Sequence, residues 1–225
     1  MLSFQEGLRK IRGRGGTVVI AIPRKKKKSS ADTPCLLEIR IELTGSRPLV
    51  WRRIRIDARS SFAALHHVIQ AAMGWHDAHL HQFRIDQRYI GVPDPKNDAP
   101  EWHTEDEKAL VIGDLVATGS RFTYLYDFGD NWEHHLSVEW IDDNDGEPLA
   151  PGDAWVVEGE GACRPEDIGG MGSYQEFLDK LENEPYADDT KEIREWVGLD
   201  YDPARFDRQA ANAAIKRLLW NHWIR

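Results

Sequence analysis

Apolar and polar residues alternate most clearly between Phe122 and Ile141. Phe122, Tyr124, Tyr126 and Phe128 fall on one side of a first arm, and Trp132, His134, Leu136, Val138 and Trp140 on one side of a second. A period of two predicts strands with one buried face. Between the arms, Asp127-Phe128-Gly129-Asp130-Asn131 has the composition of a tight turn, with Gly and Asn able to take positive φ. The same alternation marks Leu37 to Leu43 and Val50 to Ile56, which Thr44-Gly45-Ser46-Arg47-Pro48 joins into a second hairpin. The period then lengthens. Phe62, Leu65, Ile69 and Ala72 or Met73 recur at helical spacing, with Ser60 or Ser61 as N-cap and Gly74 as stop. His79 to Asp86 and Tyr89 to Val92 predict two more strands, residues 93–108 an exposed loop, and Val111 to Leu115 a short turn element.

After Ile141 the pattern turns helical and acidic. Residues 142–203 hold 19 acidic and four basic residues. Asp142 to Gly152 reads as a loop, and Cys163 to Gly172 as a Gly-rich irregular segment. Tyr174, Phe177, Leu178 and Leu181 mark an amphipathic helix, and Ile193, Trp196 and Val197 a shorter one. Pro203 suits the start of a last helix, with Phe206, Ala210, Ala214 and Leu218 on one face. Hairpin, helix, strand, short strand and final strand is the element order of a β-grasp domain. The fold class expected is therefore α+β: a β-grasp-like mixed sheet with one packed helix, an elaborated central hairpin and a helical C-terminal region.

Composition adds a core and a compartment. With 41% hydrophobic residues and nine Trp among 225, the chain can bury a substantial interior. Cys35 and Cys163 form no C-x-x-C pair and are too few for a disulfide framework, which fits a reducing, cytoplasmic setting. No apolar run approaches the ~20 residues of a membrane span, so no membrane partner is expected. The net charge of −9 is uneven. Residues 1–34 carry nine Lys/Arg against two acidic residues, and the remainder 20 against 36. This division gives residues 1–34 as a basic, flexible leader, residues 35–182 as the α+β domain and residues 183–225 as a helical extension packed on it. The leader can make nonspecific, salt-sensitive contact with nucleic acid, while the acidic remainder argues against a broad duplex-DNA footprint.

Four groups of residues carry candidate chemistry. Asp127, Asp130 and His134 put two carboxylates and an imidazole near one turn, where a divalent ion finds suitable donors; alternatively the aspartates shape the turn and His134 is a hydrogen-bonded core residue. His79 and His81 stand two apart on one predicted strand face, a spacing used by metal pairs, or else they form a polar edge, with His66 on the flank of the helix stripe. Cys163 with Glu166 and Asp167 lies on the Gly-rich loop, where Gly169 and Gly170 let backbone N–H groups approach a ligand; a lone Cys is otherwise a small buried apolar residue. Trp51, Arg52 and Arg53, with Arg55, have the composition of a binding patch, as does Trp132 on the central hairpin. The alternative for the arginines is a solvated hairpin edge. Asp127-Phe128-Gly129 spells the metal-binding triplet of protein kinases, but the chain has no Gly-rich loop before a strand lysine and no His-Arg-Asp loop. Gly13-Arg14-Gly15-Gly16 lacks the Gly-Lys-Ser/Thr of a phosphate loop.

Six stretches in order resemble the plasmid pRiA4b ORF-3-like family. They are Pro48-x-Val50-Trp51-Arg52-Arg53, Leu65-His66-x-x-Ile69-Gln70, Gly74-Trp75, His79-Leu80-x-x-Phe83, Tyr124-x-Tyr126-Asp127-Phe128-Gly129-Asp130-x-Trp132-x-His134 and Cys163-x-Pro165-Glu166-Asp167-x-Gly169-Gly170. Arg164 stands where the family pattern leads one to expect a second Pro. The resemblance runs from about Cys35 to Leu181 and implies a protein carried by plasmids and mobile elements, some members bearing a resolvase-like label. This chain lacks a nucleophilic serine set among arginines near its N-terminus and a clear helix-turn-helix, so recombinase activity is not carried over. The function expected is a soluble interaction module that binds a protein or nucleic-acid partner. The alternative is a metal-dependent hydrolase or nuclease centred on Asp127, Asp130 and His134, with a divalent metal as its cofactor.

Overall fold

A computed structural model describes residues 8–13, 16–21, 36–94, 103–142, 150 and 152–221. Strands β1 (Leu8–Gly13) and β2 (Gly16–Ala21) pair antiparallel as a separate two-stranded sheet. Eight further strands make one mixed sheet in the order β10-β4-β3-β9-β8-β5-β6-β7. They are β3 (Leu36–Leu43), β4 (Trp51–Asp57), β5 (His81–Ile85), β6 (Arg88–Gly91), β7 (Thr104–Asp106), β8 (Arg121–Tyr126), β9 (Trp132–Asp142) and β10 (Ala154–Glu160). Every pairing is antiparallel except β6 with β7. Helices α1 (Phe62–Met73), α2 (Ile112–Leu115), α3 (Gly170–Asn183), α4 (Asp188–Val197) and α5 (Arg208–Trp220) complete the chain. The α+β class is as expected from the sequence; the strand order, with β3 and β9 adjacent and antiparallel inside an eight-stranded sheet, lends nothing to the finer β-grasp description.

Alternation builds the core. Leu37, Ile39, Ile41 and Leu43 on β3, Ile54 and Ile56 on β4, and Phe122, Tyr124 and Tyr126 on β8 all turn to one buried face. On that face lies α1, with Leu65, Val68, Ile69 and Ala72 buried. Ser61 caps it by accepting from the Ala64 N–H, and Gly74 closes it in the left-handed region at φ 92°. Helix α5 packs against α1 and β10.

Four details differ from the sequence pattern, each for a local reason. Trp140 is 40% exposed, although Trp132, His134, Leu136 and Val138 of the same strand are buried. The register of β9 against β3 shifts between Ile39↔Val138 and Glu38↔Trp140. That bulge places one extra residue in β9, and the side chain of Trp140 changes face. Trp140 thus sits opposite Glu38 on the outer face, with the Arg55 guanidinium 5.3 Å from its ring centroid. Residues 104–106 form β7 rather than loop, and β10 is a full edge strand within the acidic segment. The last helix starts after Asp207, whose carboxylate accepts from the Gln209 and Ala210 N–H groups; Pro203 precedes it in a turn closed by Asp202. Its buried residues are consequently Ala211 and Ile215, and not the stripe through Ala210 and Ala214.

The bulge separates two tryptophans of one strand energetically. Trp132→Ala is expected to cost about 3–5 kcal/mol and Trp140→Ala less than about 1 kcal/mol, read as shifts in urea midpoint at unchanged slope. Equal losses at the two positions would place Trp140 in the core.

Candidate functional site

The turn between β8 and β9 is held by its own carboxylate. Asp127 (φ 54°) and Asn131 (φ 58°) occupy the left-handed region, which Asp and Asn tolerate better than most side chains. Asp127 Oδ1 accepts from the Gly129 N–H at 2.9 Å and the Asp130 N–H at 3.3 Å. Its Oδ2 turns the other way, 3.7 Å from His79 Nδ1. The Gly-rich loop docks on this turn: the Gly169 N–H donates to Asp130 Oδ2 at 3.1 Å. A Cβ on Gly170, at φ 80°, would lie 2.8 Å from the Asp130 carbonyl oxygen, so only glycine permits the approach.

Docking brings Asp167 Oδ1 to 3.2 Å from His79 Nε2. That contact is not aligned as a hydrogen bond, and His79 Nε2 makes none. His79, Asp127 and Asp167 thereby offer donor atoms within 4.8 Å of one another. Leu80 and Phe128, each next in sequence to one of these residues, are exposed beside them. Beneath, the Trp75 ring stacks on Tyr126 at 4.7 Å and donates its Nε1–H to the Arg164 carbonyl. Glu166 accepts from Tyr126 OH at 2.7 Å and from the His76 N–H at 3.0 Å, and its other oxygen lies 2.8 Å from His76 Nδ1. Burial alone would push the Glu166 carboxyl up, but these hydrogen bonds outweigh it and hold the group below its ordinary range. Glu166 is thus a firmly ionised anchor and a poor proton acceptor.

The expected ligand sets are sorted differently by the fold. His134 does not join Asp127 and Asp130. It is fully buried under Trp75 and Tyr124, its Nδ1 3.3 Å from the Tyr124 carbonyl oxygen. Asp130 bonds the Gly-rich loop and stays outside the three-donor cluster. His79 lies in the bend before β5, so it and His81 do not share one strand face. His81 points inward, where its Nε2 lies 2.6 Å from Glu107 and its ring stacks on His66 at 3.4 Å. Burial pushes the Cys163 thiol up to about 12, and Cys163 stands outside the donor clusters found among the described residues. Trp51 and Arg53 lie on the outer sheet face, Arg53 paired with Glu139 and Glu158 and Arg40 4.0 Å over the Trp51 ring. Arg52 and Trp132 are core residues.

Of a second polar cluster, the sequence marks His66 but not its partners His67 and Asp77. His66 Nε2 lies 2.7 Å from Asp77 Oδ1, and His67 Nδ1 3.2 Å from Asp77 Oδ2. His66 Nδ1 meets Tyr124 OH at 2.8 Å, and Gln70 donates to the same hydroxyl. Burial lowers the pKa of His66, the Asp77 bond opposing it. The donor distances of His66, His67 and Asp77 would also suit an ion, but their mutual hydrogen bonds already account for the clustering. The His66-His67 pair was the available signal; Asp77 and Glu107 gave none, because they lie in connections between elements.

Residues 36–210 match the family described as plasmid pRiA4b ORF-3-like protein, and the chain belongs to that family. It is 33% identical over 186 residues to the uncharacterized protein y4hQ of Sinorhizobium fredii, an alignment covering 81% of this chain and 92% of that one. Its fold is similar to the crystal structure of MM3350, a protein of unknown function from Methanosarcina mazei Go1, with a TM-score of 0.69 and 29% identity over 80% of this chain and 98% of that chain.

The buried histidines set a pH dependence. Burial lowers the His134 pKa from 6.5 to about 4. Between those values the unfolded chain binds a proton that the folded chain does not, so stability falls as pH drops from about 6.5 toward 4. Unfolding free energy should fall by about 2 kcal/mol more between pH 7 and 5 in wild type than in His134→Gln, measured by urea titration at both pH values. Parallel losses in the two proteins would mean that His134 titrates normally.

Proposed function

We propose that the protein is a binding module whose recognition surface is the rim where the β8–β9 turn meets the Gly-rich loop, with a divalent cation held by His79, Asp127 and Asp167 as part of that surface. One observation carries the reading: three donors from three separate stretches of chain converge within 4.8 Å, next to exposed Leu80 and Phe128. Mixed imidazole and carboxylate donors suit Zn²⁺, Mn²⁺ or Fe²⁺ better than Ca²⁺. Asp127 can serve because the turn uses its Oδ1 and leaves its Oδ2 facing His79. A cation with three protein donors keeps open positions for a carboxylate or phosphate oxygen of a partner, and Leu80 and Phe128 supply apolar contact beside it.

The open positions also favour a second reading, a metal-dependent hydrolase or nuclease. A bound cation would lower the pKa of a water molecule and polarise an ester. The ionised Glu166 would anchor the loop. Hydrolysis of a phosphodiester by wild type with Mn²⁺, lost in His79→Ala, would put catalysis before binding.

Elemental analysis of purified protein tests the cation directly. About one divalent ion per chain is expected in wild type and well under half that in His79→Ala and Asp167→Asn. Chelation should lower the wild-type Tm by a few degrees through loss of binding free energy and leave that of the two variants unchanged. Wild-type protein that takes up no Zn²⁺, Mn²⁺ or Fe²⁺ and shows no response to chelation would sink the reading.

A further inference from the structure

Two arginines are buried among the described residues, and they are built in opposite ways. Arg52, 1% exposed, places every donor nitrogen on a backbone carbonyl: Nε on Ala72, Nη1 on Trp51 and Glu160, and Nη2 on Gly161. Arg164 is 2% exposed, and its Nε, Nη1 and Nη2 make no hydrogen bond among the described residues. Its guanidinium lies 3.6 Å from the centroid of the Tyr174 ring, a cation–π contact that leaves the in-plane N–H groups unused.

Among the described residues no ion pair balances it. Burial pushes up the pKa of the Cys163 thiol and of the Tyr174 and Tyr201 hydroxyls, which bond each other at 2.8 Å, so all three are neutral near pH 7. Both oxygens of Glu166 are engaged by Tyr126 and His76. Arg164 lines a cavity of about 430 Å³, whose wall continues through Trp75, His76, Trp196, Val197 and Tyr201. That volume is in the range of small-molecule sites, which pair apolar walls with a few placed polar groups.

We propose that this cavity binds a small carboxylate with a flat apolar body, its carboxylate paired to the Arg164 guanidinium. The planar fork of Arg matches a carboxylate with two parallel hydrogen bonds, and the Trp75, Trp196 and Tyr201 side chains supply aromatic walls for the body. A phosphate monoester fits less well, because Glu166 and Asp167 lie on the same wall and repel a second negative charge. The Arg164 nitrogens are closed off from solvent, so entry requires the wall to part; Trp196, 54% exposed on α4, is an exposed aromatic member of that wall. The site needs no cation and stands apart from the proposed metal centre, although Asp167 borders both.

Calorimetric titration of the full chain in EDTA tests it, with benzoate, indole-3-carboxylate, benzyl alcohol and inorganic phosphate as probes. Saturable binding of at least one aromatic carboxylate is expected, with no binding of benzyl alcohol and about tenfold weaker binding of phosphate, the size of effect one charge-assisted contact carries. Arg164→Gln should weaken the carboxylate at least about tenfold. Trp196→Ala, at an exposed position that leaves the fold alone, should weaken it several-fold. His79→Ala should leave it unchanged, so this proposal and the cation fail separately. Absence of saturable carboxylate binding, equal affinity in Arg164→Gln, or equal affinity in Trp196→Ala overturns the site. Phosphate binding tighter than either carboxylate overturns the ligand class.

Discussion

The Arg52 guanidinium ties together the ends of three elements from which two parts of the site depart. It reaches from β4 to the last turn of α1 through Ala72, and to the end of β10 through Glu160 and Gly161. Phe206, from the segment before α5, closes over it at 3.7 Å. Burial lowers its pKa to about 10, so it remains charged inside the protein. The chain leaves this point in two directions, into Trp75–His79 and into Cys163–Asp167, and these are two of the three walls of the site. Such a charge contributes less to net stability than to the relative placement of the elements it joins. Gly159 belongs to the same construction: a Cβ there would lie 2.7 Å from the Trp51 carbonyl oxygen and 2.8 Å from Arg52 Cδ.

Hairpins and helix α1 were legible because each element repeats one period along its own sequence. The Asp127 turn was legible for the same reason, and its Asp-to-backbone bonds are the ones its composition allows. What pattern could not show was sequence-distant pairing. His134 and Asp127 are seven positions apart and diverge, because alternation sends His134 into the core while the turn holds the buried Asp127 against His79. Asp127 and Asp167 are forty apart and converge, because Gly170 lets one loop press on another. The Trp140 reversal was hidden for a different reason: a bulge depends on the partner strand, and the alternation on either side of it looks unbroken. Strand β10 carries little pattern of its own, because it buries only Ala154 and Val156 and takes its order from β4 and α5.

The two histidine clusters show one residue type used in two solvents. His66 and His81 stack inside, each with a carboxylate neighbour, Asp77 and Glu107, and the Tyr124 hydroxyl also bonds His66. His79 stands at the rim with looser contacts to Asp127 and Asp167. The inner cluster has its hydrogen bonds completed by protein, which suits a rigid polar core. The rim has donors to spare, which is where a ligand can add free energy.

The margins of the sheet decide how another chain can approach. A long bare edge invites an incoming strand, either from a partner or from a second copy. On one margin, β10 is bulged between Val156 and Glu158, the Asn212 side chain takes both the N–H and the C=O of Val156, and Arg208 takes the carbonyl of Val157. On the other, β7 is three residues long, and two of them are acidic. Neither margin offers a template for strand addition. A partner of the kind proposed would therefore meet side chains on loops and faces, and the same arrangement guards the eight-stranded sheet against edge-to-edge polymerisation.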